Sequence, residues 1–340
     1  MTGASLPEVP FYNDKKDLLY FIDAGGRPQR VDSADKWAIR REHILAGFQM
    51  VAGSLPGEER RAEPSVAILE QKEEKDYILR KIAFQAEPQD RVPAWLLIPR
   101  RLASPAPAAL CLHQTIRIGK DEPAGLGGNP DLWYAKELAC RGYVAMAPDY
   151  PNYGEYFCDP YAMGYASATM KGIWNHMRAV DVLQSLPEVD GSKIVCIGHS
   201  LGGHNSIFVA IFDERIKAVV SSCGFNSFTK YYGGDLTGWS HRGYMPRIAE
   251  NYGKDPRRMP FDFTELVGAL APRFFFTNSP TGDSNFEVSG ARDCIEAARA
   301  VYELHGAPER LVAVYPDAGH EFPRYARRLA YDFLDKAVGR

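Results

Sequence analysis

What this 340-residue chain lacks narrows it first. No stretch approaches the roughly 18 consecutive apolar residues of a membrane-crossing helix, and residues 1–16 hold no basic stretch followed by an apolar one. A soluble, cytoplasmic protein with no membrane partner is the expectation, with a secreted protein whose signal peptide has been removed as the alternative. Neither charge sign dominates: 40 Lys and Arg against 43 Asp and Glu leave a net charge of -3, too little to gather phosphates, so nucleic acid is not expected as a partner. The six cysteines (Cys111, Cys140, Cys158, Cys196, Cys223, Cys294) form no CxxC pair and no His/Cys cluster at zinc spacing, and read as buried thiols. No fixed-period repeat or low-complexity block occurs, which sets aside solenoids and fibres. What is present is 45% apolar and 12% aromatic residues, ample for one large core.

Punctuation by Pro and Gly divides the chain. Residues 1–62 form an N-terminal extension with one amphipathic helix, Asp35–Ala52, whose Trp37, Ile44, Leu45, Phe48 and Val51 share a face before Gly53 ends it. From Ser65 to Arg100, runs such as VAILEQ, YILRKIAF and VPAWLLIP predict antiparallel strands. From Ala106 onward short apolar strands alternate with helical segments, which implies right-handed crossovers and a mostly parallel central sheet with helices on both faces, an α/β fold over residues 63–340. The alternation lapses over residues 223–270, rich in Tyr, Phe, Gly and Pro, which reads as a lid-like or substrate-binding insertion.

The strongest local signal is Gly198-His199-Ser200-Leu201-Gly202-Gly203, between the apolar run Lys193–Ile197 and a helical run. A serine on so tight a strand-to-helix turn needs small neighbours, which Gly198 and Gly202 supply, and the following Leu201 N–H can donate to an oxyanion. A serine becomes nucleophilic only with a base to take its proton. Of eight histidines, His320 stands just past the strand Leu311–Tyr315, behind Gly319, which would give its loop backbone freedom. His199 and His204 flank the serine but should point away; His43, His176 and His305 lie on predicted helices; His241 lies in the insertion, as a possible substrate contact. The carboxylate should come from the loop after Arg273–Asn278, where Asp283 sits in a turn, whereas Glu287 and Asp293 suit a helix start and Asp317 a turn before His320. The order Ser200, Asp283, His320 is that of an α/β hydrolase. A second oxyanion donor, the backbone N–H of Gln114 or Thr115, should follow the strand Ala108–Leu112.

With these residues in view, the chain resembles the α/β-hydrolase superfamily, in particular serine esterases of the dienelactone hydrolase and acetyl xylan esterase type. The resemblance rests on Gly198–Gly203, the Asp283 turn, Gly319-His320, His113-Gln114-Thr115 and Ala147–Gly154. Gln114 departs from the His-Gly common in that first loop, and no cysteine stands at an elbow as in dienelactone hydrolases proper. The resemblance implies carboxylic-ester hydrolysis through an acyl-enzyme, on a small-molecule or carbohydrate ester, with no metal or organic cofactor required. His113, Tyr150, Tyr153, Tyr231, Tyr232 and Trp239 are the pocket candidates, with Tyr244 beside them; His113 also reads as a structural hydrogen-bonder of its loop. The basic pairs Arg40/Arg41 and Arg117/Lys120 read as solvated surface. An oligopeptidase-type serine peptidase and a non-catalytic hydrolase-fold binding protein are the alternatives, while Ser at the elbow argues against dehalogenase or epoxide hydrolase chemistry.

Overall fold

The computed structural model describes residues 9–340. A small antiparallel hairpin, β1 (Tyr20–Ile22) and β2 (Pro28–Arg30), precedes helix α1 (Ala34–Ala52). Ser33 caps that helix by accepting from Lys36 N, and Gly53 ends it at φ 99°. Then follow β3 (Val66–Glu73), β4 (Tyr77–Glu87), β5 (Asp90–Pro99), β6 (Ala106–Leu112), α2 (Tyr134–Cys140), β7 (Val144–Pro148), α3 (Ala168–Ser185), β8 (Val189–His199), α4 (Leu201–Phe212) and β9 (Ile216–Ser222). The chain closes with the short helices α5 (Arg247–Glu250) and α6 (Phe263–Gly268), then β10 (Phe274–Asn278), α7 (Val288–Leu304), β11 (Leu311–Val314) and α8 (Arg324–Ala337).

Nine strands form one sheet in the order β11-β10-β9-β8-β6-β7-β5-β4-β3. From β7 to β11 the neighbours are parallel; β3, β4 and β5 extend the sheet antiparallel from β7. The central strands β6 and β7 are buried along their whole length, which is why they read as continuous apolar runs rather than alternating ones. One core, with side chains of α1, α3, α4, α6 and α7, covers one face; a second, built with α2 and α8, covers the other. The expected α/β sandwich and its antiparallel entry are both present. Among the described residues, no helix is long and apolar enough to cross a membrane.

Two expectations change. Arg40 is not solvated: it is fully buried, its guanidinium 2.6 Å from Glu265 of α6, while Arg41 donates to the backbone carbonyls of Ala269 and Ile211. This pair clamps α1 onto the body of the fold, on a helix side whose arginines face acceptors rather than water. Lys120 is likewise fully buried, 2.8 Å from both Asp149 and Glu155. In residues 223–270, Phe225, Phe228, Leu236, Trp239, Met245, Ile248, Phe261 and Phe263 belong to the main core. The aromatic richness of that segment serves burial. Of the cysteines, Cys140 is exposed and Cys158 half-buried; the other four are buried thiols as expected.

Candidate active site

Ser200 stands between the end of β8 and the start of α4 with φ 52° and ψ -114°, a conformation a side-chain-bearing residue adopts only under local strain of about 1–3 kcal/mol. The surroundings enforce it. Ser200 N donates to Ser222 O at the end of β9 (2.8 Å), and His204 N donates back to Ser200 O (3.2 Å). A Cβ on Gly202 would run into the carbonyl of Leu112 at the end of β6, and one on Gly198 into the carbonyl of Gly202. The small residues are therefore a steric necessity where elbow and neighbouring strand close on one another.

Two further loops leave the same C-terminal edge of the sheet, where ligand sites of parallel sheets form. The loop after β10 carries Asp283, whose carboxylate accepts from Asn285 N (2.8 Å) and Phe286 N (3.0 Å). The loop after β11 carries His320, whose Nδ1 lies 2.9 and 3.0 Å from the two carboxylate oxygens. Burial pushes the Asp283 carboxyl up, but the hydrogen bond and charge of His320 with the two backbone N–H donors outweigh it, so it sits below its ordinary range and is ionised. His320 is open on one side, 27% exposed, while Asp283 is shut in at 1%. Gly319 adopts an ordinary φ with open space around its Cα, so the freedom expected of it is not used.

His199, next to Ser200 in the chain, is buried. Its ring meets His320 edge-on, centroids 4.9 Å apart, and its Nδ1 pairs with Ser222 Oγ at 2.9 Å. Burial, with His320 beside it, holds His199 down to about 3, so it stays neutral. His204 is also held down to about 3 by burial and packs against Trp239.

The loop after β6 holds the remaining candidates. His113 is buried and committed on both sides: Nδ1 meets the Gln114 carbonyl (2.6 Å) and Nε2 accepts from Tyr150 N (3.0 Å). It shapes the loop. The Gln114 side chain donates to Glu122 (2.9 and 3.1 Å), which ties back a residue bulkier than glycine; Thr115 Oγ1 lies 3.3 Å from Tyr244 Oη. Of the pocket candidates, His113, Tyr150, Tyr231 and Trp239 are buried structural groups, Tyr150 donating to Gly243 O. Tyr153 is half-buried, and Tyr232 is exposed, its hydroxyl donating to Asn285 two residues beyond Asp283. His241 accepts from Gly243 N and packs on Tyr244. Sequence reasoning missed Ser222, Cys223 and Asn278, whose only signal was their place at the ends of β9 and β10.

The glucuronyl esterase family model of fungi matches residues 147–306. YtaP of Bacillus subtilis, named a hydrolase, is 26% identical over 313 residues, covering 88% of this chain and 99% of that one. The 4-O-methyl-glucuronoyl methylesterase of Phanerochaete carnosa is 24% identical over 188 residues, covering 50% and 46%. Among solved structures, a glucuronoyl esterase from Solibacter usitatus superposes with a TM-score of 0.74 at 19% identity over 97% of this chain and 99% of that one. Acetyl xylan esterase 1 from Thermoanaerobacterium superposes with a TM-score of 0.57 at 16% identity over 86% and 98%. The chain shares the fold of these carbohydrate esterases.

Proposed function

We propose that this protein is a serine esterase that cleaves carboxylic esters of carbohydrates through an acyl-enzyme. The observation that carries the reading is the strained Ser200 elbow at the C-terminal edge of the sheet, with a His320–Asp283 pair at 2.9 Å on loops leaving the same edge. In this reading Ser200 Oγ attacks the ester carbonyl and gives its proton to His320 Nε2. Asp283, ionised and fixed by two backbone N–H groups, keeps the other proton on Nδ1 and stabilises the imidazolium. The oxyanion is met by the Leu201 N–H at the head of α4 and by the N–H of Gln114 or Thr115; one such donor is worth about 10²–10³ in rate. His320 then protonates the leaving alcohol, and water, deprotonated by the same histidine, releases the acid. The named activities of the relatives support a carbohydrate ester as substrate, and exposed Tyr232 offers a ring on which a sugar can lie.

The test is hydrolysis of p-nitrophenyl esters from acetate to decanoate, of acetylated xylan and of a methyl glucuronate ester, beside a p-nitroanilide peptide, by wild type and Ser200→Ala. Ester turnover that falls by about 10⁴ or more in the variant, with an unchanged circular dichroism spectrum, is expected. Cleavage of the anilide alone would replace the esterase by a peptidase, and equal ester turnover by the variant would remove Ser200 from the chemistry.

A further inference from the structure

Cys223 has no part in the ester chemistry, yet it lies against the two residues that assist Ser200. It follows β9 directly, with φ 47° and 1% exposure, so its side chain is held in place by a turn that a cysteine enters only at a cost. Its Sγ, a carboxylate oxygen of Asp283 and a ring nitrogen of His320 all lie within 4.8 Å of one another.

We infer that Cys223, Asp283 and His320 form an inhibitory site for a thiophilic divalent cation, zinc(II) or cadmium(II), which takes the Nδ1 atom that His320 otherwise turns to Asp283. The inference rests on the triad roles proposed above for its effect on turnover, though not for binding itself. Thiolate, imidazole and carboxylate are the three side-chain donors zinc favours. With metal–ligand bonds of about 2.0–2.3 Å, tetrahedral ligands stand roughly 3.5 Å apart, so a side-chain shift of about 1 Å closes the set. Charge also fits: one thiolate and one carboxylate neutralise the dication in a place where an unbalanced charge would be expensive. The S–H now donates to the Glu321 carbonyl at 3.3 Å, a bond given up when the thiolate takes the metal, and Asn278 Nδ2 at 3.7 Å and Ser222 Oγ at 3.9 Å lie beside the sulfur. A water would fill the fourth position.

The proton balance explains the inhibition. A buried thiol is protonated at neutral pH, so Cys223 enters the reaction carrying its S–H proton. Binding releases the S–H proton to solvent, and the imidazole proton passes from Nδ1 to Nε2, leaving a neutral ring bound through Nδ1. One proton leaves per metal bound. Nε2, now carrying hydrogen, has no lone pair to receive the proton of Ser200, and acylation stops.

Two readouts separate this site from the esterase reading. Cadmium–thiolate ultraviolet absorption is titrated in Ser200→Ala protein and in Ser200→Ala/Cys223→Ser, where no turnover is needed; a one-equivalent thiolate band present in the first and absent from the second is expected. Zinc inhibition of ester hydrolysis is then measured in wild type and Cys223→Ser, each against its own metal-free rate and with reversal by EDTA. The half-inhibitory zinc concentration should rise by roughly 100-fold or more, since losing even an outer partner of a ligand costs roughly 10–100-fold. If Cys223→Ser does not fold, a Cys140→Ser/Cys158→Ser protein, which lacks the two more accessible thiols, should keep both band and inhibition. Identical titrations with and without Cys223, or loss of both signals in the Cys140/Cys158 variant, would overturn the proposal. A protein with no ester turnover but a Cys223-dependent band would keep the site and lose only the triad reading.

Discussion

The side-chain amide of Asn278 lies 2.9 Å from the backbone carbonyl of Glu321, the residue after His320. The same Nδ2 is 2.9 Å from Ser222 Oγ, which in turn pairs with His199, the residue before Ser200. A buried polar strut thus runs from the elbow, across the ends of β9 and β10, to the histidine loop. Asn278→Leu removes the donor while keeping the volume. Because small displacements of a base are felt in the chemical step rather than in binding, kcat should fall about tenfold with KM unchanged. Steady-state kinetics of a soluble ester decide it; an unchanged kcat would make the strut mere scaffolding.

The two glycines nearest the chemistry should behave oppositely. Gly202→Ala puts a methyl group against the backbone carbonyl of Leu112, which belongs to a central strand and cannot give way, so a loss of about 1–3 kcal/mol with severely reduced turnover is expected. Gly319→Ala, with open space and an ordinary φ, should leave both melting temperature and turnover near wild type. Thermal melts and assays of the pair check the contrast; a disabled Gly319→Ala would mean that the histidine loop needs backbone freedom during turnover after all.

These cases mark what was legible in the chain. The elbow could be read because a backbone clash dictates Gly198 and Gly202 locally, and the order Ser200, Asp283, His320 follows from strands that announce themselves as apolar runs. Arg40 and Lys120 were misread because burial of a charge depends on a partner far away in sequence: Glu265 for Arg40, Asp149 for Lys120. Asn278 and Cys223 carried no pattern of their own. Their meaning arises only once parallel strands set their ends side by side.

The ion pair that docks the N-terminal helix gives a stability prediction. Arg40→Ala leaves Glu265 charged and unpaired at full burial and should cost about 3–5 kcal/mol in urea denaturation. Arg40→Met with Glu265→Gln removes both charges and should recover most of that loss. A double variant as unstable as the single one would assign the cost to lost packing, with Tyr12, on whose ring the guanidinium lies at 3.2 Å, as the first suspect.

Asp262 completes the same buried cluster and should make stability depend on pH. It caps α6, accepting from Phe228 N at 2.9 Å and Phe263 N at 2.6 Å, and Glu265 and Lys15 are its charged neighbours. Burial pushes its carboxyl up from 3.8 to about 7, further than those N–H donors and Lys15 pull it down. A folded value above the unfolded one means that the folded state holds the proton more tightly. The stabilisation is complete below about pH 4 and disappears as pH rises towards 7, at about 1.4 kcal/mol per pH unit. Asp262→Asn keeps an oxygen for both backbone donors and has nothing to titrate. Urea denaturation of both proteins across this window should therefore show the wild type losing stability relative to the variant as pH rises, the titration of groups away from this cluster cancelling in the difference. Parallel profiles would mean that Asp262 stays ionised, carried by Lys15 and its two N–H donors.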